Sequence, residues 1–137
     1  MAVGSKRKAR TLAMQALYEA DSVGHEPLET LQRLVAAEGS AEGTAVFAEA
    51  LIRGITDHLP AIDEVIARHA PERPPEELPA IDRNVLRVAI YELLFDNRAP
   101  IAAIINEAIE VAKRYGSDHS SRFVNGVLGS ASTAAKR

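Results

Sequence analysis

Apolar residues recur along this chain at intervals of three and four, the spacing that lines one face of an α-helix, and no stretch alternates with the period of a strand. A first helix is predicted over Ser5–Asp21, with Ala9, Leu12, Ala13, Ala16, Leu17 and Ala20 inward and Ser5 as N-cap. A second covers Leu28–Glu38, with Leu28, Leu31, Leu34 and Val35 inward and Gly39 as its stop. After a small-residue loop, a third begins near Thr44 and turns Phe47, Ala50, Leu51, Gly54 and Ile55 toward the core. Pro60 breaks the pattern, so a separate or kinked helix carries Ile62, Val65, Ile66 and His69. The run Pro71-Glu72-Arg73-Pro74-Pro75 excludes regular helix and marks the expected boundary between two halves.

The second half opens with a helix over Ile81–Asn97 that is apolar around much of its circumference, as a central buried helix must be. Within it, Glu92 reads as a buried structural hydrogen-bonder. Pro100 suits the first turn of the next helix, and Gly116 ends that one. Ser117 or Asp118 then caps a last helix that buries Val124, Val127, Leu128 and Ala131, and Ala134–Arg137 are expected to fray. The expected architecture is all-α: about seven helices in one domain over residues 1–137, with subdomains at about 5–70 and 76–133.

Charge changes this picture more than composition does. The net charge of −3 argues against a nucleic-acid binder until its distribution is examined. Residues 1–18 carry four cations and no acid, residues 19–82 carry fourteen acids against four bases, and residues 83–137 carry eight bases against five acids. Such a split offers one face to an anion and another to a basic partner. There is no cysteine, hence no disulfide, thiolate metal site or thiol nucleophile. His25, His58, His69 and His119 show no metal-ligand spacing, so neither metal nor cofactor is expected. No segment has the length and apolarity of a membrane span or a secretory signal, and a cytoplasmic protein is expected. Glu107 and Glu110 lie three apart on one helix, a spacing open to acid–base chemistry. The preferred reading is structural: Glu110 reaches Arg114 at i+4, and acids early in a helix suit its dipole. No catalytic residue is assigned.

Two clusters suggest RNA. Lys6, Arg7, Lys8 and Arg10 sit at a helix N-terminus, where cations oppose the macrodipole at a cost of a few tenths of a kcal/mol each. They read either as a solvated tail or as phosphate contacts. In the second cluster, Lys113 and Arg114 close a helix before Gly116, and Phe123 follows the turn beside Arg122. Phe123 either packs on Val127 or stacks a base; the stripe of the last helix is complete without it.

The segments Ala-Met-Gln-Ala-Leu-Tyr-Glu at 13–19, Leu-Pro-Ala-Ile-Asp-Arg-Asn-Val-Leu-Arg at 78–87 and Tyr-Glu-Leu-Leu at 91–94 carry a resemblance. So do Ile-Asn-Glu-Ala-Ile-Glu-Val-Ala-Lys at 105–113 and Phe-Val-Asn-Gly-Val-Leu at 123–128. In this order and spacing, from about residue 6 to 129, the chain resembles the bacterial transcription antitermination factor NusB family. The proline-rich Pro71–Glu77 departs from many relatives, which have a bulky apolar or aromatic residue there.

The resemblance implies a fold of two helical subdomains and a non-enzymatic adaptor. Such an adaptor binds single-stranded boxA-type RNA together with the ribosomal small-subunit protein NusE, acts indirectly on RNA polymerase and promotes read-through of ribosomal RNA operons. On that reading Lys6, Arg7, Lys8, Arg10, Lys113 and Arg114 hold phosphates, Gln15 reads a base edge or sugar and Phe123 stacks a base. Asp118 limits indiscriminate affinity. The tyrosine of helix one and acids at the start of the central helix contact the ribosomal protein in relatives. That carries to Tyr18 and Asp82, and Glu76 and Glu77 extend the acidic patch. Some relatives are homodimers whose interface covers the RNA site, so a dimer is carried as a second state. Two alternatives remain at this point. One is a protein-interaction bundle that never meets RNA. The other is a module like that preceding the catalytic domain of some RNA cytosine methyltransferases, whose nucleophilic cysteine and α/β cofactor domain this chain lacks.

Overall fold

The computed structural model describes residues 3–96 and 98–135. Among them are seven α-helices and no strand. The helices are α1 (Val3–Val23), α2 (Pro27–Glu38), α3 (Glu42–Asp57), α4 (Leu59–His69), α5 (Ala80–Ile90), α6 (Ile101–Tyr115) and α7 (Ser120–Ala131). The described chain forms two compact units that part between Asp57 and His58. The division therefore falls ahead of α4, not in the proline run, because α4 packs on α5 and α7.

In the first unit α1 packs on α2 and α3, and α2 packs on α3. Ala9, Leu12, Ala13, Met14 and Ala16 of α1 are almost wholly buried. The stripe of small residues lets neighbouring helices approach, while Leu12 and Met14 supply apolar area at roughly 1.5–3 kcal/mol per large side chain. α1 already begins at Val3, so Ser5 lies within it and is not its cap. α2 starts at Pro27, with the Glu26 carboxylate accepting the Glu29 N–H at 2.9 Å. It ends at Gly39, whose φ of 64° is the left-handed conformation that glycine adopts without Cβ strain. The buried face of α3 is Thr44, Ala48, Leu51, Ile52 and Ile55. Of the expected set, Leu51 and Ile55 hold. Phe47 and Gly54 are only half-buried and Ala50 is exposed, since the stripe lies about one residue further round the helix than the Phe47 reading required.

In the second unit α5 is central, packed against α4, α6 and α7, and α6 packs on α7. Every residue from Asn84 to Ile90 is buried. The expected continuous helix to Asn97 instead changes to a π-turn over Tyr91–Phe95, closed by the Asp96 N–H on the Tyr91 carbonyl at 2.9 Å. Glu92 is buried there, as expected. Asn97 lies outside the described residues, as do Lys136 and Arg137 of the terminus expected to fray.

Polar tethers fix the helices. Arg87 holds the Asp63 carboxylate through two hydrogen bonds of 2.9 Å and donates to Asn84 Oδ1 at 3.1 Å, joining α5 to α4. Such a paired, largely buried charge is costly to break on one side only. The proline-rich segment contains one short 3₁₀ turn, Pro75–Glu77. Arg83 donates to the carbonyls of Pro75 and Leu78 at 3.1 Å each, and Leu78 is buried beneath.

Candidate nucleic-acid interface

The first unit presents the N-terminal cations on the opening turns of α1, which has no acid in its first turn. Lys6, Arg7 and Lys8 are exposed and Arg10 is half-buried. Lys6 and Arg10, one turn apart, share the side of α1 that meets Phe47 of α3. Lys6 Nζ and Arg10 Cζ each lie 5.8 Å from the ring centroid, within cation–π range. Lys8 points elsewhere and pairs with Glu38 at the end of α2. Gln15 is half-buried two turns further along α1, and Tyr18 follows, 39% exposed.

The other expected RNA residues belong to the second unit. Lys113 and Arg114 form the last turn of α6, where cations suit the negative end of the helix dipole. Both are exposed. The expected Glu110–Arg114 pair is replaced: Glu110 lies 3.8 Å from Lys113, and the Arg114 guanidinium lies 5.5 Å from the Tyr115 ring centroid. Asp118 is exposed in the turn before α7. That turn is not capped by Ser117 or Asp118. His119 occupies the cap position without a side-chain hydrogen bond, and Ser120 Oγ accepts the Ser117 N–H at 2.9 Å.

Phe123 is half-buried on the first turns of α7 and lines a groove of about 320 Å³ with His69, Arg73, Leu78, Arg122 and Val127. His69 Nδ1 meets Ser130 Oγ at 2.8 Å, fixing the end of α4 to α7 at this groove. Arg73 and Arg122 are exposed. Neither was assigned a role from sequence. Arg122 was visible as the neighbour of Phe123, whereas nothing in the periodicity links Arg73 to a ring fifty residues on.

The acidic patch divides. Glu76 and Glu77 are exposed on the 3₁₀ turn. Asp82 does not lie on the surface with them, which corrects its expected role as a docking acid. It is 5% exposed, and its carboxylate accepts the Ser120 hydroxyl at 2.6 Å. Its position in the first turn of α5 also suits the helix dipole. Tyr18 belongs to the other unit. The paired carboxylates of α6 also differ: Glu107 is buried while Glu110 is exposed. Among the described residues no group of His, Cys, Asp and Glu could hold a metal ion, and no helix is long and apolar enough to cross a membrane.

Comparison with known proteins gives one consistent result. Residues 7–133 match the model of the NusB family. A transcription antitermination protein NusB of Dehalococcoides mccartyi is 46% identical over 130 residues, spanning 95% of this chain and 91% of the relative. One from a Roseiflexus species is 41% identical over 126 residues, spanning 90% and 89%. Among solved structures, T. maritima NusB superposes with a TM-score of 0.88 at 36% identity, covering 96% of this chain and 93% of that one. A chain from a structure of antitermination factors NusB and NusE in complex with dsRNA does so with a TM-score of 0.88 at 25% identity, covering 97% and 99%.

Proposed function

The chain belongs to the NusB family, and from that premise we propose that it is an RNA-binding transcription antitermination adaptor, not an enzyme. The observation that carries this reading is the end-to-end match, in sequence and in fold, to proteins named for antitermination. One of the matched structures holds NusB with NusE and RNA. The cation distribution supports it independently. An acidic protein keeps four bases and no acid in its first eighteen residues, gathered on the opening turns of α1.

The target we assign is single-stranded boxA-type RNA, bound together with NusE, with read-through of ribosomal RNA operons as the outcome. Lys6, Arg7, Lys8 and Arg10 of the first unit and Lys113 and Arg114 of the second contact phosphates. Gln15 reads a base edge or sugar. The Phe123 groove stacks a base, with Arg122 and Arg73 adding charge beside it. Asp118 limits indiscriminate affinity. Tyr18, Glu76 and Glu77 are the surface residues assigned to NusE, a basic ribosomal protein. Acting with RNA polymerase places the protein in the cytoplasm. A homodimer is the second state to test.

The test is a fluorescence titration of a short labelled boxA-type single strand with the full chain, alone and with NusE, beside size-exclusion runs of the same mixtures. Saturable binding that strengthens with NusE, in a complex of all three, is expected. Binding of NusE without any RNA affinity would favour a purely protein-binding bundle.

A further inference from the structure

We propose that Phe47 is a positioning residue for RNA, a ring that holds Lys6 and Arg10 extended in their phosphate-binding orientation. The inference rests on the reading of the N-terminal cations as RNA contacts. Phe47 is an aromatic on α3 that the buried stripe of Thr44, Ala48, Leu51, Ile52 and Ile55 leaves out. Its ring is half-buried and meets two cations from α1, Lys6 Nζ and Arg10 Cζ, each 5.8 Å from its centroid.

Three physical points turn that contact into a role. Lys and Arg lose much rotamer freedom when a phosphate fixes them, so side chains already held on a surface bind with less entropic loss. The negative face of the ring also attracts both cations electrostatically. Finally, a ring positions a cation without contributing an opposite charge. Phe47 thus has a task that hydrophobic packing alone does not require, and that Leu of similar apolarity cannot perform.

The experiment measures affinity for a labelled boxA-type single strand at low salt in the full chain. Phe47→Leu, Phe47→Tyr and Lys6→Ala/Arg10→Ala are compared, along with the combination of Phe47→Leu with the two alanine changes. The expected result is roughly three- to tenfold weaker binding for Phe47→Leu and near-native binding for Phe47→Tyr. No further loss is expected from Phe47→Leu once both cations are removed. Unchanged affinity in folded Phe47→Leu, an equal loss in Phe47→Tyr, or losses that simply multiply would each overturn the inference while leaving the RNA reading intact. If Lys6→Ala/Arg10→Ala binds RNA like the unaltered protein, the underlying assignment of these cations fails, and this inference with it. A readout that needs no substitution guards against a variant that does not fold. Side-chain methylene protons of Lys6 and Arg10 should show upfield ring-current shifts, and random-coil shifts would refute the contact.

Discussion

Ser120 at the start of α7 donates its hydroxyl to Asp82 at the start of α5 across 2.6 Å, with both residues buried. Two helix N-termini are thereby joined through one short, charge-assisted hydrogen bond. Ser120 Oγ also accepts the Ser117 N–H, so the turn from α6 into α7 hangs on the same oxygen. Removing Ser120 leaves the buried Asp82 carboxylate without this donor, and removing Asp82 takes from the Ser120 hydroxyl its acceptor. Ser120→Ala and Asp82→Ala should each destabilise the protein by about 1–3 kcal/mol, read from chemical denaturation. The double variant should lose less than the two effects together. Full additivity would show that the two side chains do not act as a pair. It follows that Asp82→Lys, the obvious charge reversal for probing NusE, would report folding first.

Gly116 makes that junction sterically possible. A Cβ on residue 116 would fall 2.8 Å from the Ala112 carbonyl oxygen and closer still to the Ser120 side chain. Gly116→Ala should therefore displace Ser120 from Asp82 and cost about 1–3 kcal/mol, while the Gly126→Ala change, with nothing within 4 Å of the new atom, should not. Equal melting temperatures for the two variants would contradict this account.

Acid should loosen the α1–α2 junction. The Glu19 carboxyl is held below its ordinary range, first by the hydrogen bond from His25, then by Thr30 and the Arg33 guanidinium. His25 Nδ1 lies 3.1 Å from Glu19 Oε2, and Arg33 pairs with the same oxygen. A depressed folded-state pKa means the stabilisation is present above the unfolded carboxylate value. It is lost as pH falls through the lower folded value. In His25→Ala the Glu19 pKa should rise toward the ordinary value, as followed by NMR titration of its side-chain carbonyl. No movement would remove His25 as the main cause.

Phe123 separates stacking from packing. Because it is half-buried at the groove and the α7 stripe of Val124, Val127, Leu128 and Ala131 is complete without it, Phe123→Ala should weaken boxA-type RNA binding by about 1–3 kcal/mol. The melting temperature should shift much less. Unfolding of Phe123→Ala, or native RNA affinity in the folded variant, would reassign the ring to the core or to no role.

Sequence period alone carried much of the architecture. The α1, α4 and α7 stripes appear in the structure much as their spacing implies, since three- and four-residue apolar repeats leave a helix one way to bury itself. The α3 stripe differs because Phe47 reads as a core aromatic from its spacing, and sequence does not show that two α1 cations lie over it. The π-turn was illegible as well: the apolar run through Phe95 gives no signal for one longer hydrogen-bonded ring at Asp96. Asp82 shows the hardest case. An acid opening a helix reads as a surface charge until a partner thirty-eight residues later, Ser120, is seen to bury it. Local pattern fixes a residue's face, but only tertiary packing decides whether that face meets solvent.

The central claim, that this chain is an RNA-binding antitermination adaptor, is tested most directly by titrating a boxA-type single strand with the full chain across a series of salt concentrations. The account predicts saturable binding whose logarithm falls linearly with the logarithm of salt, by about 0.7 for each phosphate contact on a single strand. The Arg7→Ala/Arg10→Ala protein should show a slope shallower by about 1.4, from the loss of two such contacts. Absence of saturable binding, or an affinity and slope that these substitutions leave unchanged, would contradict it.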